Sequence, residues 1–103
     1  MSKSTNSVGA IIGAYRTEMG NGKGPLSYRD FASKLSDGFS VRIPFQSIES
    51  WEKGRWNPSM AFLDSLANMT TDWRHDFAND LLAAMYPLRF EPTGSIGKRI
   101  LEA

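Results

Sequence analysis

The side chains best suited to chemistry here are amides and hydroxyls, gathered in one run. From Phe45 to Ser59 the chain reads FQSIESWEKGRWNPS. Ile48 and Trp51 stand three apart and share one face of a helical turn. Gln46, Ser47, Glu49 and Ser50 lie off that face and leave a small polar surface. A small polar helix face suits a DNA groove, and a Gln amide both donates and accepts, so it can pair with the major-groove edge of adenine. Gln46 is therefore the first candidate for a base contact. Ser50, one turn on, is a candidate for a base or a phosphate, and Ser47 for a phosphate or a helix cap. Phe45 stands at the same edge, where it either meets a thymine methyl or folds back onto the core. Glu49 reads as a solvated side chain.

The elements that must hold this face are also legible. Gly54 suits a helix C-terminus, because it takes positive φ without a Cβ penalty. Asn57 followed by Pro58 reads as an N-cap and a first helical residue. Upstream, Leu26 to Leu35 reads LSYRDFASKL: Ser27 caps, Asp30 completes a capping-box-like start, and Phe31, Ala32 and Leu35 form the buried face. Ala32 is small where a second helix must come close.

In order and spacing these segments resemble the helix-turn-helix domain of the phage-repressor and Cro type, the XRE family. The resemblance rests on Leu26-Ser27, Phe31-Ala32, Leu35, Ser47-Ile48, Trp51-Glu52, Gly54 and Pro58-Ser59, with Val8-Gly9, Ile12 and Tyr15-Arg16 in the first helix. It covers roughly residues 8 to 67. It implies an all-α, lambda-repressor-like fold that places its third helix in the major groove of double-stranded DNA. By the same resemblance, Ser27 and Tyr28 at the start of the second helix, with Arg29, touch the DNA backbone. Lys53, Arg55 and Trp56 would sit near the sugar-phosphate chain, Trp56 alternatively covering the core edge. Arg16 and Glu52 would form an ion pair that fixes the third helix rather than binds DNA. Helices after the first four often make dimers in this family, which points to Trp73, Phe77, Leu81 and Met85; the other reading is that this stripe closes the single core.

Periodicity predicts five helices, at about 7–19, 27–36, 45–53, 58–68 and 72–85. Gly9 and Gly13 weaken the first. Residues 1–86 form the expected DNA-binding domain, and 87–103, with Pro92, Gly94 and Gly97, a tail or docking arm. One departure from the family is a lengthened turn between the second and third helices, Asp37 to Pro44. There Phe39, Val41 and Ile43 alternate with Ser40 and Arg42. That is either a strand-like finger, from which Arg42 reaches a phosphate, or a loop whose apolar residues cover the core.

Composition bounds the rest. At 103 residues the chain fits one domain, and 41% hydrophobic with 12% aromatic residues exclude a disordered chain. It has no cysteine and a single histidine, His75, expected at the surface, so no metal site or cofactor is expected. There is no apolar run near the roughly 18 residues of a membrane span. The polar start MSKSTNS lacks an apolar signal segment, and a cytoplasmic protein is expected. Net charge is only +1, but residues 1–58 carry eight Lys and Arg against five acids, while 59–86 carry Arg74 against four aspartates. The expected function is sequence-specific DNA binding by a small regulator, a repressor acting as a homodimer on an inverted repeat. The alternative is a protein-interaction module, such as an antitoxin or coactivator-like adaptor, meeting its partner through the C-terminal tail. An enzyme is disfavoured, since no phosphate loop, metal cluster or histidine-partnered nucleophile is in view.

Overall fold

The computed structural model describes residues 6–40 and 42–102. The chain is all-α: α1 (Ser7–Met19), α2 (Tyr28–Leu35), α3 (Phe45–Glu52), α4 (Met60–Met69), α5 (Trp73–Met85) and α6 (Ser95–Leu101). Among the described residues there is no strand. α1 runs through the middle and packs on α3, α5 and α6; α4 lies along α5, and α2 lies against α3. The radius of gyration, 12.8 Å, is that of one compact domain of this length.

Local chemistry accounts for most helix starts. Asn6, Ser27, Ser59 and Asp72 each accept a hydrogen bond from a backbone N–H in the first turn of α1, α2, α4 and α5. The cap of α4 is therefore Ser59, not Asn57. The bond from Phe62 N–H to Ser59 Oγ (3.1 Å) starts the helix at Met60, two residues past Pro58. Gly54 takes φ +77° just past α3, as a C-terminal glycine should.

One core joins all six helices. Ile11 and Ile12 of α1, Phe31 and Leu35 of α2, Ile48 of α3, Leu63 and Leu66 of α4, Phe77 and Leu81 of α5, and Ile96 of α6 are buried together. Tyr15, Phe31, Trp73 and Phe77 form an aromatic cluster within it, with centroids 5.1 Å apart for Tyr15–Phe77 and 5.4 Å for Phe31–Phe77.

Two expectations change, and one open alternative is narrowed. Among the described residues there are six helices rather than five. Within the stretch read as a tail or docking arm, α6 lies on α1 and α5, with Ile96 in the core. The reason is Asp80, a fully buried carboxylate on α5. It accepts the hydroxyl of Tyr15 (2.7 Å) and the N–H groups of Gly94 (2.9 Å), Thr93 (3.0 Å) and Gly97 (3.1 Å). Buried polar groups must be paired, so these bonds hold the α5–α6 connection in one register. Finally, the described part of the 37–44 turn is loop, and Phe39 and Ile43 pack against the core. Val41, the middle apolar residue of the expected alternation, lies outside the described residues.

Candidate functional site

α3 presents Gln46 of its first turn, at the second position, outward and buries the face that carries Ile48 and Trp51. Pro44 at the N-cap offers no side-chain acceptor, so no side chain closes this end of the helix. Ser47 is half-buried and Gln46 stands outermost beside it. Ser50 is 4% exposed and leaves the candidate set, because its position on the helix faces inward. Phe45 is half-buried against the core, and the guanidinium of Arg29 lies over its ring, 4.3 Å from the centroid. That contact ties the first turns of α2 and α3 together.

The far end of α3 is fixed from behind. Arg16 of α1 donates to Glu52 at 2.8 Å and, through Nε, to the carbonyl of Leu26 at 2.9 Å. Its guanidinium also lies over the Tyr28 ring, 4.1 Å from the centroid, and the Tyr28 hydroxyl donates to Glu52 at 3.3 Å. The expected ion pair is thus present and joins α1 to α3. Tyr28, expected at a phosphate, is engaged in this cluster instead. Burial, then the charge of Glu52, raises its hydroxyl pKa. Asn6 adds a second tie: its Oδ1 caps α1 and its Nδ2 donates to the carbonyl of Glu52 at 2.8 Å. Gly9 permits this approach, since a Cβ there would run into the same carbonyl. The residue that weakens α1 by propensity is the one that lets α3 come close.

Around the outer face, Ser27, Arg29, Arg42, Arg55 and Trp56 are all exposed, Trp56 at 56%. Ser27 spends its acceptor on the Asp30 N–H (3.0 Å). Lys53 pairs with Glu49 at 2.8 Å, and this bond holds the Glu49 carboxyl below the usual carboxylate range. The cation is therefore already partly matched within its own helix.

The α5 stripe is used within the chain. Phe77 and Leu81 are fully buried, and Trp73 and Met85 are partly buried against the core, so this stripe closes the core, the second of the two readings given for it. His75 is half-buried rather than a plain surface residue. Its Nδ1 lies 2.7 Å from the Ala67 carbonyl and its Nε2 3.2 Å from the Asn79 amide, which sets Nδ1–H as donor and Nε2 as acceptor.

Reading by motif passed over three residues. Asn6 was visible as an Asn just ahead of a helical period. Asp80 was visible as a lone acid inside the apolar run from Phe77 to Met85. Arg74 was visible as the only cation of residues 59–86. It is 12% exposed and donates to both oxygens of Asp72, holding that carboxyl below the usual range. Comparison with protein-family models, with curated proteins and with solved structures returned no match for this chain.

Proposed function

We propose that the chain binds double-stranded DNA in a sequence-specific manner, as a small transcriptional regulator of the helix-turn-helix kind that its motifs resemble, with the start of α3 in the major groove. The observation that carries this is the pairing of an outward amide with a fixed helix. Gln46 is exposed on the first turn of α3, while the Arg16–Glu52 pair and the Asn6 bond hold the other end. With eight residues, α3 is about 12 Å long, and a helix of about 10–12 Å diameter matches a major groove about 12 Å wide.

The division of labour follows from exposure and charge. Gln46 would read a base, with Ser47 beside it. Arg29, Arg42 and Arg55 would neutralise phosphates on either side, and Ser27 and Trp56 would pack near the sugars. Blocking of polymerase by occupancy makes repression the default mode. The rival reading, a protein-docking module, placed its contact on residues 87–103. Part of that stretch, α6, is engaged by Asp80 and the core, which leaves less of it free to dock a partner.

The test is selection of duplexes from a random pool, followed by fluorescence anisotropy at several salt concentrations. Wild type should enrich one sequence. Gln46→Ala should relax discrimination at one base pair, by about 1–3 kcal/mol. Arg55→Ala should weaken all duplexes alike and reduce the salt slope by about one. A pool that shows no enrichment, with equal affinity for every duplex at low salt, would sink the proposal.

A further inference from the structure

We propose that Arg74 of α5 is a positioning residue that sets the orientation of α3 through the lengthened turn; its consequence for DNA discrimination rests on the reading above. Residues 36–44 separate α2 from α3. A connection of that length does not by itself fix the angle between two helices, so the angle must be held by bonds from elsewhere.

Two sets of bonds supply that hold. At the base of the turn, the hydroxyl of Ser36, a buried residue, accepts the Ile43 N–H at 2.8 Å. At its outer side stands Arg74. Its Nη1 donates to the carbonyl of Asp37 at 2.6 Å and to that of Leu35 at 3.3 Å. Its Nε and Nη2 donate to the Asp72 carboxylate at 3.1 and 2.9 Å, and its guanidinium lies 5.3 Å from the Phe39 ring centroid. One planar fork therefore grips the end of α2, the first residue of the turn and the cap of α5 at once.

The chemistry suits the place. The last carbonyls of a helix have no partner within it and carry its negative end, so a cation that donates to them is favoured. Only a guanidinium can serve two carbonyls and a carboxylate in one plane; an ammonium keeps the charge but not the fork. Phe39, held beneath Arg74, and Ile43, held by Ser36, are both packed on the core, so the turn is pinned at two points before Pro44 starts α3. Loss of the fork frees the outer point while leaving the Arg16–Glu52 tie at the far end of α3 intact, so α3 pivots about Glu52.

The experiment compares wild type, Arg74→Lys, Arg74→Met and Ile96→Val, the last a core change in α6 remote from the turn, at a temperature where all are folded. In the free chain, residual dipolar couplings report the α2–α3 angle, and hydrogen exchange reports the amides of Phe39, Ile43 and Gly97. With Arg74→Lys, the α3 couplings should shift and exchange at Phe39 and Ile43 should rise by about tenfold or more, the loss of hydrogen bonds to a charged group. Gly97, held by Asp80, should be unchanged. On a duplex selected by wild type, Arg74→Lys should lose about tenfold in discrimination against random duplex with the salt slope kept, and Ile96→Val should keep both. Unchanged couplings and exchange at the turn in Arg74→Lys would overturn the assignment. A salt slope lowered by about one in Arg74→Met would make Arg74 a phosphate contact and overturn it too. If wild type enriches no duplex, the DNA reading fails, while the couplings and exchange of the free chain still decide the role of Arg74.

Discussion

Asp80 shows how much one side chain can organise. Burial pushes its carboxyl pKa up, and the donors from Tyr15, Gly94, Gly97 and Thr93 pull against that shift. The net direction is upward from 3.8. A raised folded value means that folding takes up a proton above 3.8, so the contribution of Asp80 is full below that pH and is lost as pH rises through the folded value. Asp80→Asn removes this titration and turns one oxygen into an amide NH2 facing N–H donors. Leaving such a donor unpaired should cost about 1–3 kcal/mol. Urea unfolding of both proteins from about pH 3 to 7 should show the deficit of Asp80→Asn largest at the acid end and shrinking as pH rises. A deficit that grows with pH would contradict the raised value.

Among the elements, α6 is the one whose status changes what the chain can do. A free tail could be removed at little cost. Removing residues 93–103 takes away Ile96, whose burial is worth about 1.5–3 kcal/mol, and strands Asp80 without its three backbone donors. A loss of at least about 3 kcal/mol is expected, which lowers Tm by roughly 12–24 °C in a domain of this size. Calorimetry on the truncated chain checks this, and an unchanged Tm would return the segment to the status of an arm. α3 makes the complementary case: eight residues are too few to be stable alone, so its helicity and its angle both depend on Ile48, Trp51 and Glu52 being held by neighbours.

As a whole, the molecule measures 40 × 30 × 25 Å. Its long axis is close to the about 34–36 Å that separates half-sites one duplex turn apart. A single module of this size buries little DNA surface, so the DNA reading calls for two copies on a symmetric site. Selected duplexes should then carry two inverted half-sites with centres about 10–10.5 base pairs apart, or a multiple, bound by two chains. Sedimentation of the complex as one chain per duplex, on a single half-site, would exclude the dimer. Phe77 and Leu81 of the α5 stripe are buried inside each copy, while Trp73 and Met85 keep part of their surface outside. Among the described residues, Leu88 and Met69, 99% and 67% exposed, are the large apolar side chains left outside with Trp56.

What the sequence determined by itself was local. The span Ser7–Met19, the Ser27 cap of α2, the Gly54 stop and the inward positions Ile48, Trp51, Phe31 and Leu35 follow from periodicity and capping, which act between residues a few places apart. The Arg16–Glu52 pair was legible only through the family pattern, since the two residues are 36 apart in the chain. Tertiary structure alone decided the rest. Polarity put Ser50 on the outer face, but the packing of α3 turned it inward. α6 is short and contains Gly97, so no periodic signal marks it; it forms where Asp80, 17 residues away from Gly97, accepts its N–H. Asp37, at the start of the turn before α3, is held by Arg74, 37 residues further along the chain. In each case the deciding energy is a bond between groups far apart in sequence, and a local window holds only one of the two partners.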